Sequence, residues 1–308
     1  MINRILIRIK VVQTMYSYLV SGGGMTLSEA QKELSDSLDK GYELYNRLLL
    51  LPVELTRLHE RRIDNAKHKY LPTEEDLNPN MKLVGNLFVK ALVEDSTFSK
   101  YVEKNHLSWE EQDVYLRLEL ERILGSELYA AYIGNDERTW VEDCRLWHDV
   151  LREIVFRDEE LDDALEGQSV YWNDDLSTIG SFVLKTIKLF EQHDQRPVLP
   201  QFKDEEDSRF GSELLNYTVA DMEQCNALID RYVRTEQWDT ERIALMDRLV
   251  MCVAIAELLH YPAIPASVTM NEYIEIAKFY STPKSGQYVN GILNSVVNYM
   301  RGAGMIKK

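Results

Sequence analysis

The sequence predicts an all-α fold, on three observations. Apolar residues recur every third or fourth position through most of the 308 residues. The strict alternation of a half-buried strand is nearly absent. Breaks between the periodic runs carry glycine, proline or cap residues, as at Gly22–Gly24, Ser108 and Thr282-Pro283. A hydrophobic content of 45% is ample for a core. No run of about 18 uncharged apolar residues exists, so no membrane span is expected.

Residues 2–20 read as the first helix. Ile2, Ile5, Ile9, Val12, Tyr16 and Leu19 form one stripe, and Ile7, Val11, Met15 and Tyr18 widen it. A surface helix needs only about a third of its circumference apolar. A wider stripe implies two contacts, one with the core and one with something else. Arg4 and Arg8 are four apart and share a face. Their plain reading is surface solubility. Arg4, Arg8 and Lys10 also interrupt the apolar run, and no small-residue cleavage site follows, so a signal peptide is not expected. Gly22-Gly23-Gly24 lacks the Gly-Lys-Ser/Thr of a phosphate loop and reads as a connector.

From Thr26 to about Leu71 the spacing is helical, with Pro52 expected to kink or break the run into a bent helix or a hairpin. Residues 70–80 are a polar, proline-bearing loop. Residues 81–104 predict one helix. Ser108 before Trp109-Glu110-Glu111 is an N-cap signal for a helix to about Leu124. Further helices are expected near 126–133, 137–156, 158–165 and 176–193. Residues 194–209 carry two prolines and an acidic run and read as a linker. A helix pair then follows, to about Val233.

The C-terminal stretch 238–297 predicts three helices. The first starts near Asp239, with Glu241 behind it, and runs to the residue before Pro262. Ile243, Met246, Val250, Val253, Ala254 and Leu258 keep helical spacing, and the other faces are apolar too. It should be the buried central helix of a bundle. The second follows the turn AIPAS, where Thr269 and Glu272 have capping-box spacing. The third starts near Thr282-Pro283, with Val289, Ile292, Leu293, Val296 and Met300 as its core stripe. Gly286 and Gly291 lie inside that helix at about 1 kcal/mol each relative to alanine. A close helix or an approaching ligand backbone would offset that cost. Lys284 and Ser285 at the helix start suit a phosphate, and Tyr288 nearby suits stacking on an unpaired base. Alternatively, Tyr288 covers the bundle end and Asn290 caps a loop.

The net charge of −16 argues against long-range attraction for nucleic acid. Its distribution matters more. Residues 1–28 hold 3 basic and no acidic residues, 29–213 hold 23 and 41, and 214–308 hold 9 and 10, so any RNA site must be local. Cys144, Cys225 and Cys252 give neither a disulfide framework nor a zinc pattern and fit a reducing, cytoplasmic setting. The six histidines make no His-Glu-x-x-His or His-x-His. No Gly-x-Ser-x-Gly or strand-borne Gly-x-Gly-x-x-Gly occurs. No enzyme activity, metal or cofactor is expected.

The runs VTMNEYIEIAK and KSGQYVNGIL, behind a long apolar helix ending in AELL, resemble the NusB family of bacterial transcription antitermination factors. The resemblance covers roughly 206–300 and, separately, 1–20. It implies NusB-like helical bundles with an inserted or expanded helical region. The expected domains are 1–232, including an acidic helical expansion at about 25–205, and 233–308. It further implies binding of boxA-type RNA jointly with NusE, a small-subunit ribosomal protein, so that an RNA polymerase antitermination complex reads through terminators, notably in ribosomal RNA operons. Arg4, Arg8, Lys284, Ser285, Gln287, Tyr288 and Asn290 would then contact RNA. Tyr16, in Gln13-Thr-Met-Tyr16, and Asp247 would face NusE. The chain departs from the family in having fewer arginines on its first helix. Two rivals stand beside this reading. One is a protein-interaction scaffold that has lost RNA. The other is the accessory domain of an RNA methyltransferase, for which no catalytic domain is seen before Lys308.

Overall fold

Apolar periodicity of 3.6 dictates helices, and helices are what form. A computed structural model describes residues 2–135, 138–172, 174–233, 244–282 and 284–308. Among them lie α1 (Arg4–Val20), α2 (Leu27–Lys67), α3 (Glu74–Leu77), α4 (Leu87–Glu94), α5 (Ser96–Lys104), α6 (Asp113–Leu124), α7 (Glu127–Gly134) and α8 (Trp140–Glu153). There follow α9 (Glu159–Glu166), α10 (Leu176–Glu191), α11 (Glu205–Ala220), α12 (Met222–Val233), α13 (Leu245–His260), α14 (Ala266–Tyr280) and α15 (Ser285–Gly302). The all-α expectation holds. The one strand-like contact among the described residues is a bridge between Ile2 and Phe202. None of these helices is long and apolar enough to cross a membrane.

Contacts divide the helices into two units, one of residues 39–201 and one of 2–38 with 202–308. α2 contributes its first turns to the second unit and the rest to the first. It runs unbroken through Pro52, which removes one backbone hydrogen bond. Leu48, Leu49, Leu50, Leu51, Val53 and Leu55 are all buried around it, so the core offsets that loss.

In the unit 39–201, α2 is the spine. Buried Trp109 and Trp172 each donate an indole N–H to an α2 carbonyl, of Arg47 and Lys40, at 2.9 Å. Tyr45 shares a 2.6 Å hydrogen bond with Thr186 of α10. The single helix expected over 81–104 is two. Asp95 ends α4 and its carboxylate accepts from the amides of Thr97 and Phe98, starting α5. An open cavity of about 890 Å³ lies along the end of α2, lined by Leu58, Arg61, Ile63, Lys69 and Leu120 among others.

In the second unit, α13 is central and touches α1, α11, α12, α14 and α15. Every residue from Leu249 to Leu258 is buried. The expected start at Asp239, with Glu241 and Ile243, lies outside the described residues, as does Pro283. The capping box expected at Thr269 does not form. α14 starts four residues earlier, at Ala266 behind Pro265, and no side chain caps it. The Thr269 hydroxyl is used elsewhere.

Glu119 of α6 sets a pH dependence in the first unit. It is fully buried, and Arg122 reaches it at 3.0 Å while also pairing with Asp158 and Glu160. Burial first, then the neighbouring Asp158, pushes its carboxyl from an ordinary 4.5 up to about 7. The folded value exceeds the unfolded one. The stability contribution is therefore complete below about 4.5 and is lost as pH rises through about 7. Glu119→Gln is expected to raise Tm on the order of a few degrees near pH 8 and to leave it unchanged near pH 5, by thermal melts followed by circular dichroism.

Candidate RNA and partner interface

A carboxylate on an apolar helix must find donors. Glu257, on α13 and 0% exposed, accepts from four. Arg8 of α1 donates Nε–H to Oε2 at 2.7 Å and Nη2–H to Oε1 at 2.8 Å. On α14, Thr269 donates to Oε1 at 2.8 Å and Tyr273 to Oε2 at 3.0 Å. Burial pushes the Arg8 guanidinium down, and the paired carboxylate more than restores it, above its ordinary value. Burial and Glu257 together push the Tyr273 phenol well up, so it stays a donor. Arg8 is itself only 3% exposed. The expectation that it meets a phosphate is therefore corrected: its fork is filled by Glu257, and it ties α1 to the core.

Arg4 is half-buried and turned toward the start of α11. Its Nε–H donates to Asp207 and its Nη2–H to Glu206, both at 2.7 Å, and its guanidinium lies 4.9 Å from the Phe210 ring centroid. Acids suit that first turn of α11, where the free amides point.

A second polar cluster holds the start of α15. Ser285 is buried and donates to Asp247 of α13 at 2.9 Å. The Thr282 amide donates to the Ser285 hydroxyl at 3.1 Å. Asp247, expected on a partner-facing surface, is 6% exposed and anchors this loop instead. Lys284, Gln287 and Asn290 are exposed, and Tyr288 is half-buried. Burial pushes its phenol above the ordinary value.

The two clusters sit at opposite ends of one helix. Asp247 and Glu257 are ten residues apart, about 15 Å along α13. α14 leads from the Glu257 cluster to Tyr280, whose hydroxyl accepts from Gln13 of α1 at 3.1 Å. The second half of α1, with Gln13 and Tyr16, therefore lies toward the end of α14 and the start of α15. Arg4 and Arg8 lie toward the other end. The expected single platform of arginines with Tyr288 is not what the register of α1 produces. Tyr16 is 41% exposed, together with Ile5 and Val20 on the same side of α1, so the second contact predicted from the wide stripe is left open.

Comparison with known proteins bears on this unit. Residues 183–298 match the model of the NusB family. A transcription antitermination protein NusB of Salinibacter ruber is 34% identical over 110 residues, 36% of this chain and 68% of that protein. One from Symbiobacterium thermophilum is 38% identical over 104 residues, 34% of this chain and 67% of that protein. The chain belongs to the NusB family. A solved T. maritima NusB is 28% identical, covering 49% of this chain and 90% of that one, with a TM-score of 0.29. The family match begins on α10 and runs through α15. NusB similarity is thus carried by 36% of the chain or a little more, and the chain is larger than a typical NusB.

Glu257, Tyr273 and Asp207 were not among the residues the sequence singled out, and Thr269 was singled out only as a helix cap. Glu257 had a signal: it is the one acid within the buried run Leu249–Leu258 of this NusB-family chain. Among the described residues no group of three histidine, cysteine or acidic side chains could hold a metal. The three cysteines are free and buried.

Arg8→Ala strips two of four donors from a buried carboxylate and is expected to cost about 3–5 kcal/mol in denaturant unfolding. Tyr16→Asp, at an exposed position, should change stability by less than about 0.5 kcal/mol in the same measurement.

Proposed function

We propose that this NusB-family chain is a transcription antitermination factor that binds boxA-type single-stranded RNA jointly with NusE. It then acts within an RNA polymerase antitermination complex on ribosomal RNA operons. The relatives named above are transcription antitermination proteins. The observation that carries the RNA part is the start of α15, where Lys284, Gln287 and Asn290 are exposed beside Tyr288 on one helical turn and a half. Lysine there neutralises a phosphate at a helix N-terminus. Amides read base edges, and a tyrosine ring face offers stacking to an unpaired base. Ser285 serves through position, since its hydroxyl holds the loop to Asp247. Arg4 joins the site only by leaving Glu206 and Asp207, and Arg8 acts by fixing α1.

NusE is proposed to cover Tyr16 and the apolar side of α1 around it. Asp247 would act on that partner indirectly, by ordering the loop before α15. The assembly works by juxtaposition and not by catalysis, and the natural setting is the cytoplasm. We read residues 1–232 as the N-terminal half and 233–308 as the C-terminal bundle, with the expansion at about 25–205. Residues 39–201 hold 20 basic and 33 acidic residues, a net −13, so the expansion repels RNA rather than extending the site.

Gel-shift titration with a boxA-type RNA, with and without NusE, tests this. Lys284→Ala and Tyr288→Ala are each expected to weaken RNA binding about tenfold with folding retained. No shift in either condition would leave a protein scaffold as the reading. Tyr16→Asp is expected to weaken NusE binding in a pull-down and to spare RNA binding measured alone.

A further inference from the structure

Lys284, Gln287, Gly291, Asn294, Asn298 and Arg301 recur at spacings of three and four along α15, so they lie on one face of the helix. All six are exposed, and so is Asn290 beside them. The face is about 25 Å long at 1.5 Å per residue. It is unusual in three ways.

First, it contains no acid. The last acidic residue of the chain is Glu275, and residues 276–308 carry five basic and no acidic side chains in a chain of net −16. Second, its residues are poor choices for a solvated helix. Asparagine and glycine are weak helix formers, and glutamate or lysine would serve solubility better. None of the amides of Gln287, Asn290, Asn294 or Asn298 has a hydrogen-bond partner among the described residues, so the fold does not account for them. Third, the two glycines differ. A Cβ at Gly286 would meet Lys278 Cγ at 2.5 Å, so close packing of α14 explains it. A Cβ at Gly291 would meet nothing within 4 Å, so no packing among the described residues explains it. At the flank, exposed Arg231 lies over the Tyr299 ring at 4.1 Å, a planar cation on an aromatic.

We infer that the whole outer face of α15, not only its first turn, is a track for single-stranded RNA. The inference rests on the RNA reading above and extends it by Gly291, Asn294, Asn298, Arg301 and the Arg231–Tyr299 pair. Amides that each donate and accept suit the edges of unpaired bases. Lys284 near one end, and near the other the exposed Arg301, of which only Nε is engaged, donating to the Lys308 carbonyl at 2.8 Å, suit phosphates of the same strand, and Gly291 lets that strand approach the helix backbone. Absence of acid favours RNA over a basic protein surface, because a basic partner would find nothing to pair with.

The test measures affinity for a boxA-type RNA and Tm together, on the full chain. Asn294→Glu with Asn298→Glu improves helix propensity and places two negative charges on the track. It is expected to weaken RNA binding at least about tenfold with Tm unchanged or higher. Gly291→Ala is expected to raise Tm while weakening RNA binding, opposite signs that a purely structural glycine cannot give. RNA affinity within about twofold of the parent in both variants, while Lys284→Ala still weakens it, overturns the track and leaves the α15 start as the site. Unchanged RNA affinity with lost NusE binding makes the face a protein surface and equally overturns it. A parent protein that binds no RNA removes both readings.

Discussion

Burying a carboxylate costs several kcal/mol unless donors surround it. Glu257 has four donors, from three other side chains on two other helices, and it is the point at which α1, α13 and α14 are fixed to one another. Each donor also loses an alternative. Thr269 cannot cap α14 while its hydroxyl faces Glu257, and α14 starts behind Pro265 without a side-chain cap. Arg8 cannot face solvent while both ends of its fork are filled. The hub therefore decides not only that the helices pack but which residues remain free to meet anything else.

That decision reshapes the surface of α1. With Arg8 inward and Arg4 held at the acidic first turn of α11, the two arginines are spent on the protein itself. What α1 leaves outside is apolar: Ile5, Tyr16 and Val20. An apolar stripe suits a protein partner better than a polyanion. Positive charge on a face with no acid of its own lies instead along the last helix, from Lys284 at the Asp247 end of α13 to Arg301, bonded to Lys308, at the Glu257 end. The two kinds of contact proposed for this chain thus fall on different elements for a reason that starts with one buried ion pair.

Local chemistry was legible in the sequence, and long-range chemistry was not. The centrality of α13 could be read because it is apolar on all faces, a pattern that only burial explains. The core stripe of α15 could be read from spacing alone, and Val289, Ile292, Leu293, Val296 and Met300 are all buried. Asp95 shows a nearer failure: apolar periodicity continues on both sides of it and predicts one helix, where its carboxylate caps the second of two. Thr269 with Glu272 shows another, since Thr-x-x-Glu spacing occurs inside helices as well as at their starts. For Arg8 no local signal exists. Its partner is 249 residues away, and a basic residue in an amphipathic helix reads as exposed until that partner is known.

The same hub makes α13 a ruler between two polar clusters. Glu257 fixes α1 at one end, and Asp247, ten residues earlier, fixes the loop before α15 through Ser285 at the other. Helical rise sets the separation at about 15 Å, and no side-chain rearrangement can shorten it. A ligand touching both Arg4 and the α15 start must therefore be extended, whereas one touching Tyr16 and the α15 start can be compact, because Gln13 and Tyr280 already meet there. Under the proposed reading, RNA and protein contacts that adjoin across α1 and α15 would both bear on Ser285 and its bond to Asp247, without any change in the hub.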